Sequence, residues 1–505
     1  MGDYLKLFET HTEYETYING QDVLLPNVSY CEDQNEVHYN PYVHNYADDY
    51  LTFVAKESGT FTFTPPQNSN NKISYSTDKG NTWTQGNSIE VNNGDKVLWK
   101  GTMTPQEYDG IGKFGSTGNF DVQGNPMSLL YGDNYKGQTD LTGKDSAFYS
   151  LFIGNTKVVN AENLSLLATT LAEHCYTHMF NGCTSLTTAP ELPATTLANS
   201  CYSYMFYGCT SLTTAPELPA TTLASNCYSN MFYGCTSLTT APELLATTLA
   251  TYCYEGMFYG CTSLTTAPEL PAKTLKNNCY NQMFYNCTNL TTAPELPATT
   301  LTSSCYSNMF QGCTSLTTAP VLTATTLAER CYQSMFQGCT SLTTAPVLPA
   351  TTLANYCYNS MFQGCTSLTT APVLPATTLA NYCYINMFNG CTALTTAPVL
   401  PATTLANYCY NNMFQGCTSL TTAPVLPATT LASGCYGNMF YGCTKLNYIK
   451  AMFTTTPSGT YTYSWVKNVA SSGTFVKNSA ASWNVNSVRG VSGIPDKWRV
   501  QTASA

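Results

Sequence analysis

Twenty-three cysteines are the side chains in this sequence with the most chemical potential, and their spacing decides what they can do. One series falls at 175, 201, 227, 253, 279, 305, 331, 357, 383, 409 and 435, and a second series follows eight residues after each, from Cys183 to Cys443. Zinc sites use Cys pairs two to four residues apart, and no such pair occurs. On a helix, Cys201 and Cys209 would lie about 12 Å apart along the axis. That exceeds the ~4.4–6.8 Å between Cα atoms that a disulfide needs. Links between adjacent turns would have to bend the stack, and the reading that needs no distortion is a reduced thiol serving as a small buried hydrophobe. His174 and His178 are four apart, as a metal-binding pair can be, but no matching carboxylate follows and the same places hold Asn, Ser or Tyr in most other copies. Glu191, Glu217, Glu243, Glu269 and Glu295 form one column, with Val in the next five copies. Like charges a constant step apart form a solvated row, not an acid/base pair. No phosphate loop, nucleophile elbow or Cys/His nucleophile pattern is present, so no catalytic residue, metal or cofactor is expected.

The elements that carry these residues repeat every 26 residues without insertion, and the pattern predicts eleven stacked units, none of which buries a core alone. Within a unit such as 186–212, Pro190 and Pro193 exclude a helix from the first half, and its Thr-rich stretches suit short strands. The second half predicts a short helix: at roughly 100° per residue, Cys201, Tyr202, Met205, Phe206 and Cys209 share one arc of about 140°. Gly208 stands where that helix would end. Strands stack at ~4.8 Å and helices at about 8–10 Å, a mismatch that would curve the stack with its helices on the convex side. The expected fold class is therefore an α/β repeat, a curved leucine-rich-repeat-like solenoid, with a small β-rich domain before it.

The run Met-Phe-Tyr-Gly-Cys-Thr-Ser-Leu followed by Thr-Thr-Ala-Pro resembles the BspA-like (treponemal-type) leucine-rich repeat over about 161–446. The unit here is 26 residues, longer than the usual ~23 of that family. The expected organisation is an N-terminal anchor segment at 1–47, a β-rich, sandwich-like domain at 48–100, a connector and N-terminal cap at 101–160, the repeats at 161–446, and a C-terminal cap at 447–505, where Trp465, Phe475, Trp483 and Trp498 could cover the last open turn. Residues Ser76 to Trp83 match the Asp-box pattern of sialidase propellers. That resemblance implies a hairpin device, and a single copy without repeated blades argues against a sialidase.

Residues 1–47 are dense in charged and aromatic side chains and resemble the N-terminal segment of virion and fibre proteins of gut crAss-like bacteriophages. The resemblance implies an anchor, with Phe8, Tyr14, Leu25, Pro26, Tyr30, Tyr39 and Pro41 as its contact residues. A net charge of −10 makes nucleic-acid binding unexpected, no apolar run is long enough to cross a membrane, and no secretory signal is visible at the start.

The copies vary at the two residues before the first Cys, the two after Cys-Tyr, and the one before Gly. Tyr204, Tyr207, Tyr233, Tyr252, Tyr259, Tyr356, Tyr382 and Tyr408 occupy such places and are the candidate contact residues, because rigid amphipathic rings suit polar partners such as glycans. Neutral drift at exposed places would give the same variability. The expected protein is a non-enzymatic virion appendage, a capsid (head) or tail fibre made in the host cytoplasm. It would be held to other virion proteins by its N-terminus, would be a homo-oligomer, and would contact a host surface or glycan. The alternative is a bacterial cell-surface adhesin.

Overall fold

The computed structural model describes residues 28–31, 36–39 and 46–503. Two short strands, β1 (Val28–Cys31) and β2 (Glu36–Tyr39), pair antiparallel with Val28 opposite Tyr39. Next come β3 (Leu51–Ala55), β4 (Gly59–Thr64), β5 (Ile73–Ser76), β6 (Thr84–Gln85), β7 (Ser88–Val91), β8 (Lys96–Gly101), β9 (Lys113–Ser116), β10 (Phe120–Gln123) and β11 (Val158–Asn160). They form a six-stranded sheet, β11-β10-β3-β8-β5-β6, and a three-stranded sheet, β7-β4-β9. Alternating aromatic residues point between the sheets. Phe53 of β3 meets Phe61 of β4 at 5.4 Å and Phe114 of β9 at 4.7 Å, and all three are buried. Strands β9 and β10 lie inside the expected 101–160 connector, so the sheets extend past residue 100. Phe114, Phe120 and Val122 are the buried alternation that places them there.

The sheet runs directly into the repeats. Strand β11 pairs parallel with β10, and Asn160 then bridges to Thr188. Thr188 bridges Thr214 and Thr214 bridges Thr240, each step being one period. The same ladder recurs at Thr292, Thr318 and Thr344, and a second runs through Thr170, Thr196 and Thr222. The repeats thus cover an edge of the six-stranded sheet that would otherwise be open to further pairing.

The second half of each copy is not a helix, which corrects the α/β expectation. Residues 198–209 form overlapping four-residue turns: Cys201 N donates to Ala198 O (3.3 Å), Ser203 N to Ser200 O (3.2 Å), Met205 N to Tyr202 O (3.2 Å) and Tyr207 N to Tyr204 O (3.2 Å). The intervening amides leave the copy altogether. Ser200 N donates to Ser225 O (2.9 Å), Tyr202 N to Cys227 O (3.0 Å), Phe206 N to Met231 O (2.9 Å) and Gly208 N to Tyr233 O (2.7 Å). Every fourth residue takes a left-handed backbone: Ser200 φ 54°, Tyr204 φ 57°, Gly208 φ 69°. A helix would bond all amides beyond its first turn internally and hold the next copy about 8–10 Å away. Here the buried rings stack at 5.8 Å (Tyr202 on Tyr228) and 5.6 Å (Phe206 on Phe232). The helix spacing of about 8–10 Å expected to curve the stack is therefore not present. The chain is a leucine-rich-repeat-like repeat protein of short strands and turns, and its one α-helix among the described residues, Ser128–Tyr131, lies outside the repeats.

Inside the stack run columns of Leu, Met, Phe, Tyr and both Cys series; Cys253, Tyr254, Met257, Phe258, Cys261 and Leu264 are all 0–2% exposed. Second-series thiols donate to the phenylalanine carbonyl one copy back, as Cys261 Sγ does to Phe232 O at 3.1 Å. Burial holds the thiols well above their ordinary range, at about 12 for Cys201 and Cys235. A thiolate is the reactive form, so these groups should be inert. Alkylation of the native protein near pH 8 is expected to leave the 22 described thiols unlabelled, with labelling appearing only on denaturation. Cys261→Ser should cost about 1–3 kcal/mol as a buried hydroxyl. Reductant should leave the melting curve unchanged, and a large drop would mean that disulfides form in solution.

Beyond residue 446 the period breaks. Strands β12 (Tyr448–Ala451), β13 (Thr474–Lys477) and β14 (Arg499–Thr502) form a parallel sheet joined to the repeats by a Thr422–Tyr448 bridge. Trp465 sits over the last rings, 6.0 Å from Phe440 and 6.3 Å from Tyr436, and its Nε1 donates to Gly493 O at 2.7 Å.

Candidate attachment surface

The four-residue turn period sorts side chains into columns. Positions equivalent to 201, 202, 205, 206 and 209 point inward, while those equivalent to 207 are half-buried at the surface, as are Ser200 and Tyr204. Surface residues 26 apart therefore lie one ring's step apart, and tyrosines in consecutive copies must meet.

They do so in two ladders. Tyr207, Tyr233, Tyr259 and Tyr285 stack at 4.5, 4.1 and 4.3 Å with planes within 13° of parallel. Tyr356, Tyr382 and Tyr408 stack at 4.6 and 5.0 Å, and the Arg330 guanidinium caps the first ring at 4.8 Å. Tyr285, one period past Tyr259, and Arg330 were missed by the sequence reading, although counting by 26 finds both. Tyr204 is half-buried and stacks on His178 at 4.7 Å, while Tyr149 meets His178 at 5.5 Å and Tyr108 meets His174 at 5.0 Å. Tyr204 also touches Tyr207, so an aromatic strip runs from the first repeat's histidines into the first ladder. Tyr252 lies between Asn226 and Asn278 in its column and has no ring partner among the described residues.

The geometry fixes what these rings can offer. Each internal ring has both faces covered by its neighbours, so a partner meets ring edges and hydroxyls. Burial, hydrogen bonding to Tyr233 and the neighbouring phenols raise the pKa of Tyr259, and burial and Tyr233 raise that of Tyr207, so the hydroxyls stay protonated donors. A regular line of donor–acceptor hydroxyls suits a polyhydroxyl ligand. The backbone adds a second observation. Tyr204, Tyr252, Tyr356, Tyr382 and Tyr408 all have φ between 54° and 59°. A bulky residue there is unusual and costs roughly 1–2 kcal/mol. Asn226, Asn278 and Ser304 hold the same backbone in sister copies.

His174 and His178 take the same left-handed backbone and turn to separate ring partners, and no cluster of three His, Cys, Asp or Glu that could hold a metal exists among the described residues. Burial, then His174, lowers the pKa of His178. Its folded value lies below the unfolded ~6.5, so it contributes stability above that pH, and the contribution is lost as pH falls through the folded value. His178→Asn should accordingly flatten the fall in melting temperature between pH 7 and pH 5. An unchanged slope would place the acid sensitivity elsewhere.

The Asp-box residues build a turn. Asp78 accepts from Thr82 N (2.9 Å), Thr82 Oγ1 (2.7 Å) and Ser76 Oγ (2.7 Å), which lowers its pKa to about 2, and Trp83 Nε1 donates to Gly80 O. All carboxylate oxygens engaged there serve the loop. Of the expected anchor residues, Tyr30 and Tyr39 fall on β1 and β2, while Phe8, Tyr14, Leu25, Pro26 and Pro41 lie outside the described residues. The expected boundary at 47/48 divides a short turn, Tyr46–Asp48, whose Asp48 carbonyl accepts from Tyr135 Oη at 2.5 Å.

Among known families, the one described as BspA type Leucine rich repeat region matches this chain in 6 copies, over residues 160–281, 251–395 and 358–470. No curated protein matches the chain.

Proposed function

Since this chain belongs to the BspA-type leucine-rich-repeat family, we propose that it is a non-enzymatic attachment protein whose repeats hold a host surface or its glycans. In this reading the eleven 26-residue turns make one solenoid, capped by the β-sheets before it and by residues 447–505 after it. The observation that carries the reading is the tyrosine ladders: half-buried rings stacked copy on copy at the surface, three of which (Tyr356, Tyr382 and Tyr408) keep a left-handed backbone that favours Asn or Gly, where drift alone would relieve the strain. Substituting Tyr233 and Tyr259 together with Ser should leave the melting temperature within a few degrees and weaken binding to glycans or cells at least about tenfold, since linked contacts multiply through effective concentration. Unchanged binding would sink the ladder as the contact surface.

The finer reading is a virion appendage, a head or tail fibre that other virion proteins hold through residues 1–47. Its support is the resemblance of that segment to bacteriophage virion proteins. Family membership fits the alternative, a bacterial surface adhesin, and adds nothing to the virion reading. A chain beginning at Tyr46 keeps the turn that Tyr135 engages and should fold. In the virion reading it is absent from purified particles that contain the full chain, and normal incorporation would rule out the N-terminal anchor.

A further inference from the structure

The row that carries Glu191 to Glu295 continues as Val321, Val347, Val373, Val399 and Val425. The first three valines are 74% exposed, Val399 77% and Val425 48%. The buried Leu426 bridges Ala451, so the outward place after Val425 belongs to Lys450. Read along the stack, the row is acidic, then apolar for five copies, then basic.

We infer that this row is a self-association surface, on which a second copy of the chain docks antiparallel about a two-fold axis through Val373. Area is the first reason. An exposed valine presents on the order of 80–100 Å², so five present roughly 400–500 Å² per copy. The half-buried prolines beside them, Pro349, Pro375 and Pro401, bring the total from two copies toward the ~1,200 Å² at the lower end of specific interfaces. Spacing is the second. The valines recur at the step of a β-ladder, ~4.8 Å, so an antiparallel copy matches all five at once. A two-fold axis needs this self-complementarity, in which the patch on one copy meets the same patch on the other.

Charge selects the direction. With the axis at Val373, three steps one way reach Glu295 and three steps the other way reach Lys450. Each Glu295 then faces Lys450 of the second copy, twice per dimer. A parallel pair would set Glu295 against Glu295, with the rest of the acidic row behind it. The inference does not depend on what the tyrosine ladders bind.

The test uses the full chain in sedimentation velocity at about 1–100 µM, the range for a small interface. A concentration-dependent dimer is expected. Val373→Asp should weaken it about a hundredfold with an unchanged melting temperature, because the side chain is exposed. Glu295→Lys and Lys450→Glu should each weaken the dimer, and the two together should restore it. Under mild oxidation Val373→Cys should cross-link to itself, whereas Val321→Cys should not. A monomer at 100 µM, a dimer indifferent to Val373→Asp, or self-cross-linking of Val321→Cys as efficient as that of Val373→Cys would each overturn the proposal.

Discussion

Phe258→Ala is expected to lower stability by about 3–5 kcal/mol, the usual cost of emptying a fully buried phenylalanine site. The ring is 0% exposed and lies 5.7 Å from Phe232 on one side and 5.7 Å from Phe284 on the other. The surrounding copies cannot close the gap, because their spacing is fixed by hydrogen bonds from each copy to the next: Phe258 N to Met283 O at 2.9 Å, and Phe232 N to Met257 O at 2.9 Å. Cys287 Sγ also donates to the Phe258 carbonyl at 3.1 Å. In a stack whose units contact only their neighbours, such a loss divides the molecule into two blocks. Hydrogen exchange should therefore rise most in the copies on either side, and calorimetry should resolve two transitions. The adjacent surface change Tyr259→Ala should cost far less. If Phe258→Ala melted in a single transition within a few degrees of the parent, nearest-neighbour coupling would not describe this protein.

The second large effect concerns binding. Removing residues 212–289 deletes 78 residues, three periods of 26, and joins Ser211 to Leu290 in register. Removing 316–393 deletes the same number and joins Ser315 to Leu394. Both shortened chains should fold, since each new junction reproduces a native one. Their binding should differ. The first deletion removes Tyr233, Tyr259 and Tyr285 and destroys the first ladder. The second removes Tyr356 and Tyr382 and leaves the first ladder whole. If binding is spread along the repeats, both lose avidity in a graded way, about 10–100-fold. If the first ladder is the site, the first deletion abolishes attachment and the second spares it. Indifference to both would leave the repeats as a spacer and end the attachment proposal.

Much of this architecture is legible in the sequence, and the main failure is instructive. The 26-residue period, the inward columns and the covering role of Trp465 follow from counting and from residue type. The helix does not. Buried residues at 201, 202, 205, 206 and 209 have a period of four, about 90° per residue, where a helix has about 100°. Over nine residues the two drift apart by about 80°, less than the width of an apolar face. The distinguishing signal lies on the other side, where Ser200, Tyr204 and Gly208 recur every four residues and sister copies fill these places with Asn, Ser or Gly, the residues that tolerate a left-handed backbone. The tyrosines that break this preference concealed it, and they are the same residues proposed to make contact.

The amides that leave each copy for the next point along the length of the stack, and this determines how the molecule answers a pull. Tension applied end to end loads the bonds between all copies alike, so the weakest copy peels first while the rest hold. A peeled copy gives up about 5 Å of folded length and releases 26 residues of chain, up to roughly 90 Å when extended. A tether of this kind lengthens by more than tenfold in small equal increments before it breaks, and in an optical trap it should trace a sawtooth with a spacing near 8 nm. If the repeats hold a surface as proposed, that compliance spreads a sudden load over time and keeps the remaining copies bound.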